Sequence, residues 1–367
     1  MPKIVVFGAT GYTGRMTAAA LVARGAAPVL AGRDATALTR LAAELGGAPT
    51  AVADVTDPDS VRALLGRGDV LVTTVGPFLR YGGPALAAAI GAGAHYLDST
   101  GEGPFIRRVF EQDDQARAAG SALLTAFGFD YVPGNLAAGL ALQAAPDARR
   151  ADIGYFVRSP GTSGGTRASM AGMLFEPGFA LRSGQVVTER TGTRVRSFDL
   201  GGSARTGVSI PGSEHFALSR SYPRLRAVDV FLGLPPVAAR GLQAGSRVFS
   251  TVGQVPPLKR GLDGLLARAV KGSTGGPGAQ ARGRVRSWVV AEACDEAGKP
   301  LATVTLDGGD PYDFTAAMLA WGAETALDGG LRGTGALGPV DAFGLEALHA
   351  AALAAGWTQR PVSVPNR

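Results

Sequence analysis

The sequence predicts an α/β fold: an N-terminal doubly wound parallel sheet, followed by a second α+β domain built on a mainly antiparallel sheet. Two observations carry this. Over the first 130 residues, short runs that are continuously apolar or β-branched alternate with Ala-rich helical stretches, as in βα winding with strands covered on both faces. From about residue 150 the runs give way to alternating segments such as 151–157 and 287–293, which read as antiparallel strands.

In chain order, the runs place strands near 3–8, 28–32, 49–54, 69–75, 94–98 and 121–126. Ile4-Val5-Val6-Phe7 and Val70-Leu71-Val72-Thr73-Thr74-Val75 are the clearest. In the second half, 165–182 and 258–272 read as helical, 272–278 as a Gly-rich loop, and two Ala-rich helices near 313–328 and 340–356 end the chain. The expected division is 1–135 for the first domain, 136–310 for the second, and 311–367 for C-terminal helices that could return to the first.

Composition narrows the function classes. Of 367 residues, 46% are hydrophobic and 18% charged, enough to bury a large core. A single cysteine, Cys294, excludes an intrachain disulfide and a Cys-rich metal site, and with only His95, His215 and His349 to add, no metal is expected. No basic leader with an apolar export segment and no apolar run of membrane-spanning length stands out, so the expected location is cytoplasmic. The formal charge of +6 comes mainly from arginine, and residues 151–300 hold 20 basic against 10 acidic side chains. Such a basic middle suits an acidic carrier protein, a phosphorylated or carboxylated ligand, an anionic membrane surface, or plain solvation. No nucleic-acid module accompanies it.

Glycine accounts for 54 residues, so the GxxGxxG run Gly8-Ala9-Thr10-Gly11-Tyr12-Thr13-Gly14 needs its context to be informative. That context is an apolar strand before it and a helical pattern after it, where a tight turn brings backbone N–H groups to a pyrophosphate. Gly8 opens the turn, Gly11 permits close approach and Gly14 lets helix pack on strand, with Thr10, Tyr12 and Thr13 lining the cradle. The second strand ends in Arg33, where an acid would hold an NAD ribose and an arginine suits the 2′-phosphate of NADP. Asp54 ends the third strand at the position of an adenine-edge contact, an N-cap or turn role being the alternative. Gly76, Pro77 and Phe78 end the fourth, where backbone would pass the nicotinamide ribose. The cofactor expected is NADP(H).

These blocks, with Val75-Gly76-Pro77-Phe78-Leu79-Arg80-Tyr81-Gly82, His95-Tyr96-Leu97-Asp98-Ser99-Thr100-Gly101-Glu102 and Gly128-Phe129-Asp130-Tyr131-Val132-Pro133-Gly134, resemble the saccharopine dehydrogenase-like oxidoreductases, in the branch near the trans-acting enoyl reductases. The resemblance covers residues 1 to about 140 and returns weakly at 163–166 and 309–311. It implies a Rossmann domain, a second domain whose sheet supports homodimerisation, and NAD(P)-dependent reduction of imines of amino acids or polyamines, or of conjugated C=C bonds in polyketide-derived lipids. The segment 209–216 departs from the pattern of the lipid enoyl reductases.

Reduction by a nicotinamide needs a proton source beside the strand ends. Tyr81 follows the fourth strand, Asp98 the fifth, and Asp130 with Tyr131 the sixth; His215 lies beside Glu214 in a stretch that reads as a polar loop. These five are the catalytic candidates, and a structural role competes at each. Glu102 reads as a helix N-terminal acid. No YxxxK pair, GxSxG elbow or P-loop lysine points elsewhere. Residues 258–271 form a basic amphipathic pattern suited to a membrane, a greasy substrate or a buried helix. The function expected is an NADPH-dependent reductase acting on a conjugated C=C or C=N bond of a small to medium, partly apolar intermediate, free or carrier-bound. A non-catalytic NADP-binding sensor or scaffold, or a lipid-surface protein, are the alternatives.

Overall fold

In the computed structural model, which describes residues 1–158, 163–164, 176–253 and 275–364, the first six strands fall where the apolar runs place them. They are β1 (Ile4–Phe7), β2 (Val29–Gly32), β3 (Thr50–Val52), β4 (Val70–Thr73), β5 (His95–Asp98) and β6 (Ala122–Leu124). Between them run α1 (Tyr12–Ala23), α2 (Ala35–Glu44), α3 (Pro58–Arg62), α4 (Phe78–Ala92), α5 (Gly103–Phe110) and α6 (Asp113–Ala119), and α7 (Val132–Ala144) follows β6. All pairings are parallel in the order β6-β5-β4-β1-β2-β3, and residues Gly335–Ala336 add a seventh parallel strand beside β6. β1 and β4 are buried throughout, which is why their sequences do not alternate.

The second sheet is built from β7 (Arg150–Arg158), the hairpin of β8 (Gly178–Arg182) and β9 (Gln185–Glu189), β10 (Val195–Asp199), β11 (Ala204–Ile210), β12 (Ala227–Gly233), β13 (Arg286–Cys294) and β14 (Pro300–Gly308). With β15 naming the Gly335–Ala336 strand, β16 (Thr358–Gln359) closes this sheet in the order β10-β11-β12-β7-β13-β14-β16, and β8 joins through β12. Its pairs are antiparallel except β7 with β12. Helices α8 (Glu214–Ser221), α9 (Pro236–Gly253) and α10 (Ala279–Arg282) lie within this half. The C-terminal part forms α11 (Pro311–Leu327), α12 (Pro339–Phe343) and α13 (Leu345–Ala354).

One expectation is corrected here: the described end of the stretch read as helical, Gly178–Arg182, is a strand. Ser183 and Gly184 both have positive φ and make the two-residue turn that closes the β8–β9 hairpin, and Phe179, Ala180 and Leu181 are buried on it. The helical pattern at 258–272 and the amphipathic stretch 258–271 lie outside the described residues, as does 165–175, and so does the first part of the 272–278 loop.

The two sheets share one hydrophobic core. Val5, Val72 and Leu97 of the first sheet belong to the same buried cluster as Ile153, Val230, Val289 and Val304 of the second, with Leu136 and Ala141 of α7 between. The outer face of the second sheet carries Phe156, Phe198, Phe231 and Val290. On the same face Arg150, Arg182, Arg194 and Arg196 pair with Asp152, Asp229, Glu189 and Glu292. These arginines are held in ion pairs within the fold, but the acids they meet are already counted in the middle region, so its excess of basic side chains stands.

Candidate active site

The glycine-rich turn follows β1 directly. Gly8 has φ +88°, and a Cβ there would come within 2.8 Å of Thr74 Oγ1, so both conformation and space require glycine. A Cβ on Gly14 would lie 2.2 Å from the Gly8 carbonyl oxygen, so this glycine lets the first turn of α1 close onto the loop. The Gly8 and Ala9 N–H groups donate to the Ala31 carbonyl at the end of β2, and Gly11 N–H donates back to Gly8 at 2.9 Å. The turn is thereby tied to the strand that ends in Arg33. No side chain caps α1, and its first turn carries no acid, leaving an open positive helix end. An anionic pyrophosphate fits that cradle on both counts.

Thr10 stands beside the end of β2, its Oγ1 3.9 Å from where a Gly32 Cβ would be, and Thr13 is half-buried in the first turn. Arg33 is exposed and makes no hydrogen bond or ion pair among the described residues. Asp54 is engaged locally: its Oδ1 accepts both the N–H and the hydroxyl of Thr56 at 2.8 Å, and these bonds hold its carboxyl below the usual range. Tyr12 turns its ring toward the second half of the chain. Its hydroxyl donates to the Pro277 carbonyl at 2.5 Å and accepts from Arg282 at 3.2 Å, and the ring meets Tyr312 edge-on at 5.0 Å.

At the other end of the crevice, the Phe78 backbone N–H is engaged within the fold. The buried Glu102 carboxylate accepts the Phe78 and Leu79 N–H groups, both at 2.8 Å, so the first turn of α4 is already occupied. The Phe78 ring packs on Phe105 in the core. Glu102 therefore caps α4 from the β5–α5 connection. Gly76 and Pro77 remain half-exposed at the end of β4. Tyr81 is half-buried on the first turn of α4 with the Arg80 guanidinium over its ring.

The acids divide by environment. Asp98 is fully buried and accepts from Thr100 N–H, Ala126 N–H and the Thr125 hydroxyl, at 2.8–2.9 Å. These bonds fix the end of β5 to the strand beside it, and despite them burial pushes its carboxyl up to about 6. Asp130 differs: it is half-buried, accepts no hydrogen bond among the described residues, and burial raises it to about 6. One of its oxygens lies 2.9 Å from where a Gly101 Cβ would be, which sets it across the ends of β5 and β6. The next residue, Tyr131, is buried, with its hydroxyl spent on the Pro211 carbonyl at 3.1 Å.

His215 does not lie where its loop-like sequence context suggested. It lies on the first turn of α8 and not in a polar loop, 1% exposed, with Nδ1 bound to Gly212 and its ring edge-on to Phe179. Burial pushes its imidazole down to about 4, so it is neutral at pH 7. The small cavity it lines is bordered by Glu189, Ser209 and Asp229 of the second sheet and by Pro211, whose carbonyl accepts the Tyr131 hydroxyl. The acid that matters beside it is Glu214, fully buried, bonded through Oε1 to the Tyr155 hydroxyl at 2.6 Å, with Oε2 unpartnered. Tyr155 in turn accepts the Gly134 N–H at 2.9 Å at the start of α7. Burial raises Glu214 to about 8, with the Asp130 charge adding to the rise. Positions 134, 155 and 214 are far apart in sequence and lie on three elements, so no local pattern announces them.

Comparisons with known proteins agree with this geometry. Residues 4–124 match the family model of the saccharopine dehydrogenase NADP binding domain. A Mycobacterium tuberculosis protein named as a trans-acting enoyl reductase is 39% identical over 183 residues, covering 47% of this chain and 44% of that protein. The trans-acting enoyl reductase of Mycobacterium leprae is 42% identical over 140 residues, 36% of this chain and 34% of that one. The matched stretch thus spans less than half the length of these curated relatives. Apo saccharopine dehydrogenase (L-Glu forming) from Saccharomyces cerevisiae superposes over 98% of this chain and all of that one, with a TM-score of 0.60 at 13% identity, a likeness of fold. The glycine turn, the uncapped α1 and the strand-end Arg33 all lie within the stretch matched by the saccharopine dehydrogenase NADP binding domain model, in a chain whose fold is similar to that of saccharopine dehydrogenase.

Proposed function

We propose that the protein is an NADPH-dependent reductase that delivers hydride to a conjugated C=C or C=N bond of a partly apolar biosynthetic intermediate, with Asp130 as the proton donor. The observation that supports this best is the pairing of an open anion cradle at Gly8–Gly14 with a donor-free carboxyl at Asp130 along one row of strand ends. NADPH, when bound, supplies the hydride. The chain supplies the rest. Gly8, Gly11 and Gly14 hold the pyrophosphate against the α1 N-terminus, with Thr10 and Thr13 beside it. Arg33 takes the 2′-phosphate, and Gly76 and Pro77 border the nicotinamide end. Burial lets Asp130 hold its proton up to about pH 6, well above the ordinary carboxylate range, so that below this pH it can pass that proton to the substrate atom that gains electrons. Asp98, whose three donors commit it to the loop, is the orienting acid behind it. The names of the curated relatives favour an enoyl group over an imine, and the basic second domain suits an acidic carrier.

The test is NADPH oxidation with a panel of α,β-unsaturated thioesters, free and carrier-bound, beside cyclic imines. Turnover of an enoyl thioester is expected, and oxidation of NADPH with none of them would refute the reading. Asp130→Asn should lower kcat by roughly a hundredfold or more with NADPH affinity unchanged. In the native protein kcat should be level below about pH 6 and fall above it, as the carboxyl loses the proton it must donate; the residual activity of Asp130→Asn should lack that limb.

A further inference from the structure

Two helix N-termini face the same end of the first sheet. Helices α1 and α11 run parallel: Tyr12 and Tyr312 meet at their starts, and Arg24 pairs with Glu324 near their ends. The first turn of α11 also touches the loop that carries Asp130, since Thr315 Oγ1 accepts the Phe129 N–H at 3.0 Å, and a Cβ on Gly128 would come within 2.7 Å of Thr315. The start of α11 thus lies between the glycine turn and the Asp130 loop, the two ends of the proposed dinucleotide path.

Asp310 caps α11 with one oxygen only. Oδ1 accepts the Tyr312 and Asp313 N–H groups at 2.8 and 3.3 Å. Oδ2 is shut off from solvent and has no partner among the described residues, and Asp310 as a whole is 5% exposed. Burial raises the Tyr12 hydroxyl, with the Asp310 charge adding to the rise, and Tyr12 meets Tyr312, two residues after Asp310, edge-on at 5.0 Å. The nearby cation is engaged elsewhere, with Arg282 bound to Asp313, the Pro277 carbonyl and Tyr12. A buried carboxylate oxygen without a donor is costly unless a donor arrives.

We propose that Asp310 Oδ2 accepts a hydrogen bond from the nicotinamide-ribose half of the dinucleotide, a ribose hydroxyl or the carboxamide N–H, making α11 a second wall of the cofactor site. This rests on the dinucleotide reading above. The Gly275–Arg282 segment is bonded to Tyr12 on the same side. The chemistry is acceptor to donor, complementary to the N–H donors at α1 that take the pyrophosphate.

Asp310→Asn keeps a carbonyl oxygen for the cap and turns the other atom into a donor. Titration calorimetry of native and variant protein with NADPH, 2′-phospho-ADP-ribose and 2′,5′-ADP tests the idea. The variant should bind NADPH about tenfold or more weakly and 2′,5′-ADP, which lacks the second ribose, as the native protein does. Loss shared by 2′-phospho-ADP-ribose identifies a ribose hydroxyl, and loss confined to NADPH the carboxamide. Unchanged NADPH affinity would overturn the proposal and leave a buried water as the partner; equal loss for 2′,5′-ADP would overturn it as a general distortion of α11. Should the native protein bind none of the three, the dinucleotide reading fails as well. Asp310→Ser, which retains a capping hydroxyl and lacks the second oxygen, repeats the titrations if the Asn variant does not fold.

Discussion

At the scale of single residues, exposure without a partner distinguishes the groups free to meet a ligand. Arg33 is the clearest case, a guanidinium with no hydrogen bond or ion pair among the described residues, at the end of β2 beside the glycine turn. Arg33→Ala should weaken NADPH binding by roughly ten- to a hundredfold, as expected for loss of a charge-assisted phosphate contact, and NADH binding hardly at all. Equal losses for both cofactors in a titration would discard the 2′-phosphate assignment. Glu214 is the opposite case, a buried acid raised to about 8 from an ordinary 4.5. Between these values the folded chain keeps a proton that the unfolded chain has released, so folding stability falls as pH rises through that window, and the full cost is present above about 8. Asp130 acts with the same sign at lower pH. Glu214→Gln, neutral at every pH, should match native Tm near pH 5 and exceed it increasingly toward pH 9, by on the order of a few kcal/mol in stability. A native Tm that does not fall relative to the variant over that range would show that Glu214 titrates normally.

At the scale of elements, most of the N-terminal strands were readable because burial on both faces leaves unbroken apolar runs, the exposed edge strand β3 being the exception, and the glycine turn because a strand precedes it and a helix follows. Asp130 was readable as a strand-end acid. What separates it from Asp98 was not, since the difference lies in the N–H groups of Thr100 and Ala126 and the Thr125 hydroxyl, which only the folded loops bring to one carboxylate. For the same reason Glu102, read as an acid at the start of its own helix, turns out to cap α4, 24 residues away. The Ser183-Gly184 pair was a legible hairpin signal hidden by the helical look of the residues before it. The tightest element-level requirement is the contact of α1 with the turn. Gly14→Ala would drive a methyl to 2.2 Å from the Gly8 carbonyl oxygen, against backbone that cannot rotate away. The variant should be destabilised by about 1–3 kcal/mol and should lose measurable dinucleotide affinity, because the turn must open to admit the methyl group. Gly25→Ala is the control for added side-chain bulk: a Cβ there meets nothing, and only the positive φ of Gly25 opposes it. Binding by Gly14→Ala as tight as by the native chain would mean that the turn does not hold the pyrophosphate.

At the scale of the whole molecule, the chain leaves the first sheet at α7, builds the second sheet, and comes back. Helix α11 lies against α1, β15 extends the first sheet beside β6, and β16 then returns to the edge of the second. Trp357, just before β16, packs on Phe129 from the Asp130 loop and on Phe314 from α11, so the last crossing is stitched to the site itself. A core whose apolar cluster runs through both sheets should melt as one unit even though the sheets differ in topology. Two tryptophans report on the two halves: Trp321 stacks with Phe127 and Phe343 against the first sheet, and Trp288 sits on the outer face of the second. Variants that keep only one of them, with Phe at the other tryptophan positions, should give urea transitions by fluorescence with coincident midpoints and slopes once each is referred to its own circular-dichroism curve. A Trp288 transition that precedes the loss of helical signal would show the second sheet unfolding alone. In that event the links made by α11, β15 and β16 would be contacts of the folded state without cooperative weight, and the acid at Asp130 would be held by the first sheet by itself.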